Sequence, residues 1–194
     1  MSKVREIESL LTFSCKRPWC TLKESSYDKT NEVYMVDYLY DVLDYDGIAV
    51  AHQKIKGYPY RLSSNDAVYI SHEGTPYFIE FKNGSIDKVD IQKKGVGSAM
   101  LAMEIGIAES LKELQEKAIY ILVYNESAIE QKQAQSQKRL SNATRRKGNR
   151  KIRRLIELNG VAWIYHEAFS YTISEFEENF INPIVEPEYQ TASS

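Results

Sequence analysis

From Asp28 to Leu43 the apolar side chains Val33, Val36, Tyr40 and Leu43 recur at helical spacing, with Asp37, Asp41 and Asp44 on the other face. That pattern predicts an amphipathic first helix. Gly47 marks its end, and Ile48 to Ile55 reads as a first strand before the turn Gly57-Tyr58-Pro59-Tyr60. Two further β-rich runs, Ala67 to Ile70 and Tyr77 to Phe81, flank Ser71-His72-Glu73-Gly74-Thr75-Pro76, whose Gly and Pro predict a hairpin turn. Val89 to Leu114 carries Val96, Met100, Met103, Ile107, Leu111 and Leu114 on one stripe and predicts a long second helix. Its small residues, Gly95, Gly97, Ala99, Ala102, Gly106 and Ala108, suit close packing against a sheet, although the glycines could equally delay its start to about residue 96. Ala118 to Tyr124 is continuously apolar, as expected of a central strand covered on both faces.

Outside this core the pattern is weaker. Val4, Ile7, Leu10 and Leu11 suggest a short helix before a loop at Arg17-Pro18-Trp19. Glu126 to Arg150 is polar and predicts an exposed helix or arm, with apolar character returning at Ile152, Leu155, Ile156 and Leu158. Val161 to Tyr165 reads as another strand, Ser174 with Glu177 as a capping box opening a last helix, and the end from Pro183 as frayed.

Length and composition change this picture little: 194 residues, 43% hydrophobic and 27% charged, with a net charge of -2, fit one globular domain. The placement of charge matters more. Lys132 to Arg154 holds ten Lys or Arg and no acid, whereas Glu167 to Glu188 holds six Glu and no base. Such a cationic stretch is either a solvated helix or a contact for nucleic-acid phosphates, and its lack of neutralising acids favours the second. Lys138, Arg139, Arg145, Arg146, Lys147, Arg150 and Lys151 are its candidate contacts, acting on the backbone rather than the bases. Cys15 and Cys20 cannot form a disulfide framework, and no run resembles a signal peptide or membrane span, so the expected setting is cytoplasmic.

The hairpin carries the chemistry. Asp66 opens its first strand, while Glu80 and Lys82 lie two apart on the second and share a face, which Phe78 joins. Two acids beside a lysine can hold a hard divalent cation and stabilise charge on a phosphate. An ordinary same-face salt bridge on a solvated sheet is the alternative, less favoured because both faces look partly covered. His52, His72 and His166 show no metal-ligand spacing, and there is neither a phosphate-binding loop nor a dinucleotide fingerprint.

Asp66, thirteen intervening residues, then Glu80-Phe81-Lys82, within this element order, resembles the PD-(D/E)XK nuclease superfamily over about Asp28 to Tyr124. The resemblance implies an α/β restriction-endonuclease-like core, α-β-β-β-α-β at about 28–124, with a mixed central sheet flanked by helices. A basic helical segment at about 126–158 and a C-terminal strand and helix at about 160–182 would be added to it. It implies that Asp66 and Glu80 bind Mg2+ or Mn2+, that the Phe81 carbonyl is a further ligand, and that Lys82 positions the attacking water. Asn65 stands where the motif has proline.

Weaker transfers are an acid from the first helix, for which Glu32 fits by its place on the inward stripe, and a Gln or Lys on the second helix near the scissile phosphate, which the resemblance would place at Gln92, Lys93 or Lys94. Glu32 could instead be a first-turn acid favoured by the helix dipole. The implied activity is phosphodiester hydrolysis by a DNA endonuclease, possessing the option of a homodimer or a larger protein complex. The competing reading is an inactive nuclease-fold protein serving as a nucleic-acid-binding or inhibitory module in a defence, repair or mobile-element complex.

Overall fold

A computed structural model describes residues 17–127, 158 and 160–192. Six strands form one mixed sheet: β1 (Trp19–Thr21), β4 (Asp41–Asp44), β5 (Ala67–Ile70), β6 (Pro76–Lys82), β7 (Ile119–Tyr124) and β8 (Glu167–Thr172), in that spatial order. The first four pair antiparallel with one another in turn, β7 pairs parallel with β6, and β8 pairs parallel with β7. Two two-residue strands, β2 (Tyr27–Asp28) and β3 (Val33–Tyr34), make a separate hairpin. α1 (Leu22–Ser25) precedes it.

Side-chain alternation along the strands divides the core into two layers. Val68, Phe78, Tyr120 and Leu122 pack on one face with α2 (Tyr45–Lys56), α3 (Lys88–Glu104) and α4 (Leu111–Lys117). Ala67, Tyr77, Ile79, Ile121 and Val123 pack on the other with Phe176, Phe180, Ile181 and Val185 of the C-terminal helices. β6 and β7 are therefore covered on both sides, which is why their apolar residues run almost without interruption.

The first helix and first strand of the expected core are exchanged. Asp28 to Leu43 is not helical but runs from the end of β2 through β3 into β4, and Ile48 to Ile55 lies inside α2. The physical reason is that Val36, Tyr38, Tyr40 and Val42 alternate inward while Asp37, Leu39 and Asp41 are exposed, a period of two that overrides the helical spacing. Gly47 does not stop a helix; its amide donates to Asp44, the N-cap of α2, at 2.9 Å. The stop is Gly57, left-handed at φ 67°, whose N–H bonds Gln53 O. Over Asp41 to Tyr124 the order is strand, helix, strand, strand, two helices, strand.

Four later expectations also shift. The long second helix breaks after Glu104, and α4 follows as a separate element. Val161 to Tyr165 forms turns rather than a strand, placing Val161, Ile164 and Tyr165 in the core, with the Tyr165 hydroxyl donating to Gly95 O at 2.8 Å. The strand comes next, as β8. The C-terminal capping box is Thr172 with Glu175, opening α5 (Ile173–Phe176). Beyond it the chain does not fray at Pro183: a π-helical stretch (Glu177–Val185) runs into α6 (Glu186–Ala192). Glu188 fastens this end to the hairpin by accepting from His72 N at 3.0 Å and from the Tyr69 hydroxyl. The expected N-terminal helix around Val4 to Leu11, and residues 128–157 of the basic segment, lie outside the described residues. Among those described, no helix is long and apolar enough to cross a membrane.

α3 approaches its neighbours unusually closely at two glycines. A Cβ on Gly97 would lie 2.0 Å from Ser63 O, and one on Gly95 would lie 2.4 Å from Val161 Cγ1. Helix propensity alone would make Gly97→Ala stabilising by about 1 kcal/mol. The contact with backbone predicts the opposite sign, a loss of about 1–3 kcal/mol from overpacking, measured by urea unfolding. A variant more stable than the parent would show that this approach is not tight.

Candidate active site

The hairpin register sets the site. Ala67 pairs with Ile79 and Val68 with Phe78, so residues of the parity of Val68 and Phe78 meet beneath α3. Glu80 and Lys82 continue that row on β6. Asp66, just before β5, is anchored by its own N–H to Ile79 O at 3.1 Å and by Tyr45 N to its carbonyl at 3.3 Å. Its carboxylate turns back over β6 and accepts from Phe81 N at 2.7 Å. The preceding loop is pinned to α3 by Asn65 N donating to Ser98 Oγ at 2.7 Å.

Glu80 is fully buried, at 0% exposure, and two ammonium groups meet its carboxylate. Lys94 Nζ of α3 lies 2.7 Å from Oε1 and 3.0 Å from Oε2. Lys82 Nζ lies 3.0 Å from Oε1. Lys94 also reaches Asp66 Oδ1 at 3.3 Å, and Lys82 reaches Asp90 Oδ2 at 2.7 Å. The charges thus alternate along one chain of contacts: Asp90, Lys82, Glu80, Lys94, Asp66.

Burial, reinforced by the Asp66 charge and opposed by the two lysines, pushes Glu80 up to about 8. Burial likewise raises Asp66, against Lys94 and the Phe81 amide. For Lys94 and Lys82 burial pulls downward, but the neighbouring carboxylates outweigh it and both ammoniums are held above their ordinary range. Asp90, despite its own burial, is held low by Lys82.

A cleft of about 390 Å³ opens onto this row. Asp46, Asp66, Phe81 and Lys82 line it together with Tyr27 and Asp28 of the β2–β3 hairpin. Asp28 ties that hairpin to the end of β6: its carboxylate accepts from Thr30 N at 2.8 Å and from Asn83 Nδ2 at 2.9 Å. Asn83 in turn accepts from Asn125 Nδ2 at 3.0 Å, just past β7.

The residues expected from the sequence divide clearly. Asp66, Glu80, Lys82 and Lys94 come together, and Phe81 joins them through its amide. Glu32 does not: with the Asp28–Leu43 helix gone, it sits exposed in the β2–β3 turn at φ 54°. Gln92 is exposed on α3 beside Gly160, and Lys93 is exposed as well. Lys138, Arg139, Arg145, Arg146, Lys147, Arg150 and Lys151 fall outside the described residues.

Two acids were missed. Asp46, in the first turn of α2, lines the cleft and accepts from Ser64 Oγ at 2.6 Å, taking the place in the cleft expected of Glu32. Its signal was Asp44-Tyr45-Asp46-Gly47, an N-cap followed by a first-turn acid. Asp90 stands one helical turn before Lys94, a spacing that puts both on one helix face.

Among the described residues, no three or more His, Cys, Asp or Glu side chains are grouped so as to hold a metal. Asp66 and Glu80 nevertheless form a two-carboxylate set close enough to share one cation, since a single ammonium touches both. Mg2+ needs no more from a protein than one or two carboxylates, completing its shell with water and substrate phosphate. The donor set therefore fits Mg2+ or Mn2+.

Compared with protein-family models, with curated proteins and with solved structures, the chain matches none.

The Glu80 proton gives a stability test. The folded chain holds it far above the ordinary value of 4.5, so the stability it confers is complete below about 4.5 and is lost as pH rises towards about 8. Glu80→Gln removes this titration. The unfolding free energy of the parent, relative to the variant, should therefore fall between those pH values in denaturant titrations; a difference that stays flat would contradict the assignment.

Proposed function

We propose that this chain is a divalent-metal-dependent nuclease with a restriction-endonuclease-like core, hydrolysing phosphodiester bonds in DNA. The observation that carries the reading is the convergence of Asp66, Glu80 and Lys82 around shared ion pairs, with Asp66 and Lys82 lining a cleft and Glu80 buried behind them. The succession β5, β6, α3, α4, β7, with β5 antiparallel and β7 parallel to β6, adds support to the resemblance of the sequence to the PD-(D/E)XK superfamily.

In this reading Asp66 and Glu80 hold the metal. A bound Mg2+ or Mn2+ would supply Lewis-acid stabilisation of phosphate charge and acidify water. Lys82, clamped between Glu80 and Asp90, keeps its proton and orients the attacking water by donating to it. Asp66 is held in place by the Phe81 amide, which leaves its other oxygen turned towards Lys94. The hairpin carrying Tyr27 and Asp28 confines the substrate at the cleft mouth. Lys93, exposed on α3, and the cations of residues 138–151 are the proposed phosphate contacts.

The second reading, an inactive nuclease-fold protein that binds nucleic acid, is favoured by one observation: the Lys94 ammonium already bridges the two carboxylates. Plasmid, single-stranded DNA and RNA incubated with Mg2+, Mn2+ or EDTA separate the two. The nuclease reading predicts metal-dependent cutting that falls by about 10²-fold or more in Asp66→Ala and in Lys82→Ala. Cutting at the parental rate by both variants, or tight binding with no cutting, would overturn it.

A further inference from the structure

Three carboxylate oxygens surround one ammonium: Lys94 Nζ lies 2.7 and 3.0 Å from the two oxygens of Glu80 and 3.3 Å from Asp66 Oδ1. These are the oxygens that the nuclease reading gives to the metal. A divalent cation bound to them at about 2.1 Å could not share them with an ammonium, because the like charges would stand within about a hydrogen-bond length of each other. Occupancy is therefore exclusive.

The backbone of α3 cannot retreat to make room at low cost, since buried hydrogen bonds tie it down: the Tyr165 hydroxyl donates to Gly95 O at 2.8 Å, the Tyr45 hydroxyl to Ser98 O at 3.0 Å, and Asn65 N to Ser98 Oγ at 2.7 Å. What can move is the four-carbon side chain. Once displaced, its ammonium needs another anion. Asp46 is close but already engaged by Ser64 Oγ at 2.6 Å and approached by Arg61 at 3.9 Å. Asp90 is engaged by Lys82. The cleft in front of Asp66 and Lys82 is where a substrate phosphate would bring the missing charge.

We propose that Lys94 is an internal counter-cation that seals the Asp66–Glu80 pair in the free protein, and that on metal loading it transfers to a phosphate of the nucleic acid. Lys94 then adds to the positive coupling between metal and nucleic acid, beyond what phosphate oxygens on the ion contribute, and the unloaded protein keeps its carboxylates from stray cations. The proposal rests on the nuclease reading for its metal and its substrate. Lys94 acts in it as a positioning residue, setting when the carboxylates become available.

The coupling is measured by titrating Mn2+, followed by the electron paramagnetic resonance of the free ion, into the protein with and without a short phosphorothioate oligonucleotide. Binding to the oligonucleotide alone is subtracted. In the parent, the oligonucleotide should tighten Mn2+ binding about tenfold, the ordinary size of a coupling between sites. Lys94→Met should bind Mn2+ about tenfold more tightly than the parent without the oligonucleotide, and the oligonucleotide should then tighten binding clearly less than in the parent, the remainder coming from phosphate oxygens on the ion itself.

Lys94→Arg, which keeps the charge, should behave as the parent does, and circular dichroism checks that each variant is folded. Equal Mn2+ affinity in parent and Lys94→Met, or a parent affinity unmoved by the oligonucleotide, overturns the role of Lys94 and leaves the nuclease reading standing. No Mn2+ binding by any of the three proteins overturns the nuclease reading and this inference together.

Discussion

A carboxylate with no exposure to water, Glu80 on the central strand β6, is the constraint on which the surrounding structure depends. Left alone, an ionised group there would cost several kcal/mol after relaxation, so it must take a proton or be met by cations with good geometry. One cation, Lys82, comes from the same strand two residues on. The other, Lys94, has to be delivered from α3 across the layer. That delivery requires the helix to lie close to the sheet and its preceding loop, and Gly95 and Gly97 are the residues that permit the approach.

The charge network that results is more than a means of tolerating one acid. Apolar residues of similar volume in place of a buried ion pair are often neutral or stabilising, so stability alone gives little reason for five alternating acidic and basic groups beside a cleft. Their perturbations also run in a useful direction. Both ammoniums are locked on, while the two carboxylates next to them are pushed towards neutrality by burial. Groups perturbed in this way and gathered beside a cleft are candidates for chemistry on a ligand. On the proposed reading, the geometry that keeps the pair compensated in the free protein is also what would let it exchange one cation for another.

The hairpin was legible in the sequence because its signals agreed: β-branched and aromatic runs, a Gly and Pro turn between them, and an odd placement of acids and lysine on one parity. β7 was legible for a similar reason, being uniformly apolar and short. The segment before the hairpin was not, because its residues satisfy two periods at once. Val33, Val36, Tyr40 and Leu43 match a helix, whereas Val36, Tyr38, Tyr40 and Val42 match a strand, and the abundance of tyrosine and valine was the cue that favours the second. Choosing the helix carried Glu32 into the site and left Asp46 unread, so one error of period produced one error of chemistry. Lys94 was within the expected set but could not be separated from Gln92 and Lys93 without the rotation of α3. Glu167 to Thr172 was passed over because Val161 to Tyr165, whose apolar residues serve a turn that plugs the core, looked more like a strand.

Charge along the chain completes the account at larger scale. The acidic C-terminal region packs against the hairpin face opposite the charged row, with Glu188 bonded to Tyr69 and His72, and so stays off the cleft side. The central claim is that Asp66 and Glu80 form the seat of a divalent cation. Anomalous scattering from Mn2+-soaked crystals tests it most directly: the account predicts one strong peak between the two carboxylates with the Lys94 side chain moved out, and Lys94 still bridging them with no peak between would contradict it.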